Sequence, residues 1–240
     1  MTSLPRELTQ ISRSARCDAV VTSSPALFDW SDALALRRAA QVAGLDIPPY
    51  LLAPEVRQLL DHIEVLPRRL LFDTIWNTGA RINEALALTP ADFYLDDERP
   101  FVVLRTLKQR NRGKGRPRKG EPLKRAVPLS DAAYLQRLRE YLATFRPARH
   151  APLWDITDDT ARNWLSAAVA LAQRDGVTFS VRPVTPKTLR HSYAMHLIQH
   201  RVPLKVVQAF LGHRELSSTE VYTRVFALDV GRQFDVQFTV

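Results

Sequence analysis

A mainly α-helical fold with one small antiparallel β-sheet follows from three features of the chain. Apolar residues recur at helical spacing through most of its 240 residues, and only 8 glycines interrupt them. Apolar, β-branched runs are confined to two short stretches on either side of a basic segment. With 45% hydrophobic and 25% charged residues, the balance is that of a globular protein with a real core, which excludes global disorder.

The elements follow in order. The first 30 residues are polar and rich in Ser and Thr, and read as an arm. Ser31–Leu45 reads as a short helix with Leu34, Leu36, Ala40 and Val42 as its apolar residues and Gly44 near its end. Pro48 and Pro49 cannot continue it, so the boundary between an arm of residues 1–48 and a main domain of 49–226 falls there. The stretch APEVRQLLDHIEVL has Pro54 at a first-turn position, and RRLLFDTIWNTG stops at Gly79. RINEALALTPADFYL reads as a short helix closed by Pro90. FVVLRTL, from Phe101, and AVPLS, from Ala126, read as paired strands with the basic segment as the hairpin tip. Helices resume at SDAAYLQRLREYLATF, at DDTARNWLSAAVALAQRDG, and at TPKTLRHSYAMHLIQH, which opens with Thr185 as N-cap and Pro186 at N1. LKVVQAFLGH ends at Gly212, and Ser217 with Glu220 reads as a capping box that places Tyr222 early in a last helix. In the tail, residues 227–240, Phe234, Val236, Phe238 and Val240 alternate with more polar residues after Gly231, as in an edge strand.

Charge is the informative part of the composition. There are 34 Lys and Arg against 25 Asp and Glu, and the segment from Arg105 to Arg125 holds ten of those bases with one acid. The rest of the chain is balanced, so the whole excess of +9 lies in one stretch. Such a patch is the footprint of a nucleic-acid binder, because neutralising phosphates releases condensed counterions. A solvated basic loop is the plainer alternative. Cys17 stands alone and closes no intrachain disulfide, no Cys/His cluster has zinc-site spacing, and no apolar run approaches bilayer length. The N-terminus has no apolar leader core, so a cytoplasmic location is expected, with no membrane partner.

The segments TLRHSYAMHL, LKVVQAFLGH and SSTEVYTRVF resemble the C-terminal block of the tyrosine recombinases, the phage-integrase-like enzymes that cut and rejoin DNA through a tyrosine. The matching positions are Lys187, Leu189-Arg190, Leu211-Gly212-His213 and Tyr222-Thr223, and TGARINEALAL resembles the family's first box with Arg81 as its arginine. The likeness runs from about Leu51 to Val225 with all boxes in order. It implies the catalytic fold of that family, a site-specific recombinase or integrase, and a 3′-phosphotyrosyl intermediate. A pentacoordinate phosphorane gathers negative charge on its equatorial oxygens, and the planar, always-ionised guanidinium suits it. The resemblance therefore casts Arg81 and Arg190 as clamps, Lys187 as a further donor where the family usually has His, and His213 as a donor or proton carrier. It casts Tyr222 as the nucleophile. A hairpin lysine serves the family as general acid; Lys108 fits best, with Lys114, Lys119 and Lys124 as alternatives. No metal or other cofactor is expected, because cationic side chains meet the charge.

Arg105, Arg110, Arg112, Lys114, Arg116, Arg118, Lys119, Lys124 and Arg125 are expected to contact DNA, tracking phosphates rather than bases. Double-stranded DNA is the implied partner, with a homotetramer on two sites and a monomer or dimer without DNA. Taken alone, Arg81 reads as an ion-pair partner of Glu84 three residues on, and Tyr222 as a packing residue. His191, His196 and His200 do not share one helical face, so they do not read as a metal site. Relatives carry a separate core-binding domain of about a hundred residues, and 48 residues are too few for one. Either the Ser31–Leu45 helix is a reduced clamp or the basic hairpin replaces it. The tail either docks on a neighbouring protomer or pairs within its own. The plasmid multimer-resolving branch is a fitting analogy by size. A DNA-binding regulator without turnover and a type IB topoisomerase-like enzyme are the competing classes.

Overall fold

The computed structural model describes residues 30–106 and 123–228. Lys108, Arg110, Arg112, Lys114, Arg116, Arg118 and Lys119, the residues before Trp30, and the tail with Phe234, Val236, Phe238 and Val240 lie outside them.

Nine α-helices and three strands are present among the described residues: α1 (Trp30–Val42), α2 (Ala53–Asp61), α3 (Leu66–Thr78), α4 (Ile82–Leu86), β1 (Phe93–Tyr94), β2 (Phe101–Arg105), β3 (Lys124–Pro128), α5 (Ala132–Phe145), α6 (Asp158–Arg174), α7 (Pro186–Gln199), α8 (Leu204–Leu211) and α9 (Ser217–Glu220). Helix α3 is central. Its residues Leu70 to Ile75 are all buried, and it packs against α7, α5, α4 and α2. Helix α7 is buried nearly all round, as a helix enclosed on several sides must be.

Several boundaries differ from the expected ones. The second helix stops at Asp61 and α3 starts afresh at Leu66, because Pro67 lacks the N–H that a continuous helix would need there and instead takes a first-turn position. The sheet has three strands in the order β1-β2-β3, all antiparallel, rather than two. Beyond α4 the chain turns through Thr89–Asp92, where Thr89 donates from N and Oγ1 to Asp92 Oδ2 at 2.9 and 2.8 Å. It then adds β1 to the edge of β2, with Tyr94 stacked on Phe101 at 4.5 Å between ring centroids. The expected Ser217 cap does not form either. Leu216 is already helical (φ −64°, ψ −35°), so Ser217 lies inside the turn, and α9 ends before Tyr222.

Helix α1 lies against the 3₁₀ turn Thr223–Leu228 that follows Tyr222. Its Arg37 is buried and donates to Glu55 Oε2 at 3.0 Å and to the Tyr50 carbonyl at 3.4 Å. No described helix is long and apolar enough to cross a membrane.

Candidate active site

Two helices end at the same place. Gly79 closes α3 and Gly212 closes α8, both left-handed at φ 62° and φ 63°, where an L side chain is strained. Gly79 has a second reason to lack a side chain: a Cβ there would collide with the Tyr193 ring on α7. The last carbonyls of a helix have no partner within it and carry partial negative charge. Here guanidinium groups supply the partners. Arg190, on α7, donates Nη1 to the Gly79 carbonyl and Nη2 to the Leu211 carbonyl at 2.6 Å. Arg125, on β3, donates Nε to the Phe210 carbonyl at 2.7 Å.

Between these arginines lies the carboxylate of Glu84, almost wholly buried on α4. It accepts from Arg81 N at 3.0 Å, from Arg81 Nη1 at 2.7 Å and from Arg125 Nη2 at 2.6 Å, and Arg190 Nη1 stands 3.9 Å away. Burial acts to raise the pKa of Glu84, but the hydrogen bond and charge of Arg125 and the bonds from Arg81 outweigh it, and the carboxylate is held below its usual range. Three guanidiniums around one carboxylate leave a net positive centre. The Arg81 side chain is 36% exposed, which leaves it the accessible arginine of the three.

Tyr222 enters this centre from the end of α9, with 1% of its surface exposed. Its Oη lies 2.6 Å from Nδ1 of His191, the residue after Arg190 on α7. Burial pushes the phenol up to about 12, while Arg190 and then Arg81 pull it down. His213, just past Gly212, has Nδ1 2.9 Å from Oγ1 of the fully buried Thr219. Burial, followed by the charges of Arg190 and Arg81, lowers His213 to about 4. Burial, Lys187 and Arg190 do the same to His191, also to about 4. Both imidazoles are therefore neutral at pH 7. Arg190 is lowered to about 9, chiefly by burial, and stays ionised there.

Of the residues singled out from sequence, Arg81, Arg190, His213 and Tyr222 come together. Lys187 stands exposed in the first turn of α7, where its charge is felt by His191. Lys124 is exposed on β3, and Arg105 is part-exposed with Nη2 2.5 Å from Asp92 Oδ1. Arg125, expected from its charge to contact DNA, has a side chain only 9% exposed, and its nitrogens bond to Glu84, Phe210 and Thr106. The sequence offers Glu84 only as the ion-pair partner of Arg81, a pair that forms at 2.7 Å, while it weighs His191 only against a metal site and does not single out Thr219. For His191 a signal existed, since it lies four residues after Lys187 and so on the same side of the helix.

Chemically, the cluster offers fixed cationic donors, a neutral imidazole touching a phenol, and a second imidazole held by a hydroxyl. That set fits a phosphodiester attacked by the phenol. Among the described residues no three His, Cys, Asp or Glu side chains are grouped to hold a metal ion.

Comparison with known proteins gives the family. The profile of the phage integrase family matches residues 49–228. A resolvase of Escherichia coli is 50% identical over 231 residues, covering 90% of this chain and 88% of the relative. A probable site-specific recombinase in the afa region of Escherichia coli is 51% identical over 211 residues, covering 88% and 84%. Among solved structures, the XerH site-specific recombinase bound to its difH substrate in a pre-cleavage complex superposes with a TM-score of 0.59 at 27% identity, over 74% of this chain. This chain spans 51% of the length of that XerH chain.

Proposed function

The chain belongs to the phage integrase family, and from that premise we propose that it is a site-specific DNA recombinase that breaks and rejoins strands through a covalent bond between Tyr222 and a 3′ phosphate. The observation that carries this reading is the seat of Tyr222, whose hydroxyl is buried within electrostatic reach of Arg190 and Arg81. Arg81 and Arg190 meet the charge on the phosphorane, and His213 donates to the same oxygens. Arg190 is pre-positioned by two helix-end carbonyls, so little reorganisation accompanies the reaction. Lys187, exposed in the first turn of α7, adds a further donor. Lys108 protonates the leaving 5′ oxygen, and the basic segment, with Arg105 and Lys124 at its ends, follows DNA phosphates. The active assembly is a homotetramer on two duplexes, the arrangement in which strands are exchanged as well as cut.

The test is a nicked suicide duplex made from the DNA that flanks the protein's own gene. Wild-type protein should accumulate a covalent adduct bearing a free 5′ hydroxyl, and Tyr222→Phe should form none. Cleavage with no protein attached to the DNA would contradict the reading.

A further inference from the structure

The attacking phenol must lose a proton, and the groups around it differ in whether they can take one. Arg81, Arg190 and Arg125 are cationic and lack a lone pair to offer, and the Lys187 ammonium is in the same position. Glu84 is held below the usual carboxylate range by the guanidinium donors bound to it. His213 has its Nδ1 engaged by Thr219. That leaves, among the described residues, the nitrogen that touches the hydroxyl directly: His191 Nδ1, 2.6 Å from Tyr222 Oη.

Resting on the recombinase reading, we propose that His191 is the proton acceptor for Tyr222, taking the phenolic hydrogen on Nδ1 as the oxygen attacks phosphorus and returning it when the strand is rejoined. The step balances. The bond from Tyr222 Oη to phosphorus forms as the bond from phosphorus to the 5′ oxygen breaks, the phenolic proton passes to Nδ1, and the 5′ oxygen takes a proton from a lysine ammonium. Before DNA arrives the imidazole is neutral, with Nε2 carrying its hydrogen and Nδ1 accepting from the hydroxyl. The groups that face it are Lys187 and Arg190 on its own helix, His213 beyond α8 and Tyr222 beyond α9. All the charged ones are cations, and they weaken it as a base in the empty site. A bound phosphodiester brings an anion beside the ring and raises its basicity at the moment a base is needed. Because His191 directly follows Arg190 in α7, the acceptor and the principal clamp are held by one rigid element.

Two measurements test this. The first needs no DNA: with ¹⁵N-labelled histidine at neutral pH, His191 Nδ1 should resonate as an unprotonated, hydrogen-bonded nitrogen, and Tyr222→Phe should move it to the unbonded position. A protonated Nδ1 would overturn the proposal. The second follows adduct formation on the nicked suicide duplex in His191→Gln and His191→Asn, whose amide oxygens can accept from the hydroxyl but cannot hold its proton. Adduct formation should fall about a hundredfold at pH 7. That deficit should shrink by about tenfold per pH unit as solvent takes over deprotonation, and rejoining should slow in parallel. A deficit that stays the same at every pH, or wild-type rates in both variants, would overturn it. If the wild-type protein itself forms no adduct, the recombinase reading fails, an outcome distinct from either of these.

Discussion

At His213 the ring's tautomer is tied to the hydroxyl of Thr219, 2.9 Å from Nδ1. When Thr219 donates to Nδ1, the hydrogen is on Nε2, and the imidazole is a donor toward an anionic oxygen. Thr219→Val removes that orientation while keeping the shape, and adduct formation should fall about tenfold, the worth of one hydrogen bond; Thr219→Ser should restore it. Equal rates in all three proteins would show that His213 is oriented by something else. Lys108 is tested by leaving-group chemistry. Lys108→Ala should cleave slowly, and a substrate with a bridging 5′ sulfur, which departs without protonation, should recover the rate; failure of that rescue would move the acid to another lysine. The sequence motifs single out Arg81, Arg190, His213 and Tyr222, which the fold brings together, and the three-residue spacing gives the Arg81–Glu84 pair. The remaining contacts of Glu84, and those of His191 and Arg125, are not legible, because they depend on burial and on partners 41, 31 and 85 positions away, at Arg125, Tyr222 and Phe210.

Among the elements, the helix ends carry the site, and the glycines that form them can be separated into backbone and contact effects. Gly44 and Gly212 have nearly the same φ, 64° and 63°, but a Cβ at Gly44 meets nothing within 4 Å whereas one at Gly212 comes within 3.0 Å of Arg125 Nη1. Either alanine should cost about 1 kcal/mol through backbone strain, a loss of roughly 2–4 °C in Tm for a chain of this size. Gly212→Ala should in addition lower adduct formation, since Arg125 is displaced from Glu84 and Phe210. Equal adduct yields from the two variants would mean that the bracing by Arg125 is dispensable. Both glycine stops in this site are readable from sequence, as are the Thr185 cap and the β2–β3 pairing. The two-residue strand β1 is not, because so short a run after Pro90 has no periodicity to read; it is an element only by virtue of pairing with β2. The one-turn α9 departs from the expected helix because Leu216 already has helical backbone, which moves the start ahead of the Ser217 signal.

For the whole molecule, two distributed properties matter. The first is acid sensitivity. His191, His196 and His213 are all lowered to about 4, mainly by burial, against an ordinary value of 6.5. Between those limits the unfolded chain binds more protons than the folded one, so stability is intact above pH 6.5 and falls as the pH drops toward 4. Tm should decline across that window. His196→Leu should decline less, because His196 Nδ1 is buried without a hydrogen-bond partner among the described residues; an identical decline would assign the effect to other groups. The second property is the charge gathered between Arg105 and Arg125. Replacing Arg110, Arg112, Arg116 and Arg118 by Ala should weaken binding to all DNA sequences alike and reduce the salt slope by roughly one unit for each phosphate no longer neutralised. Weakening confined to the preferred site would mean that the segment reads bases. The covalent role of Tyr222 is tested most directly by trapping the protein on nicked DNA, digesting the adduct, and sequencing the peptide that retains a nucleotide. The expected result is a phosphodiester link to the Tyr222 oxygen. A link to any other side chain, or an adduct that persists in Tyr222→Phe, would contradict it.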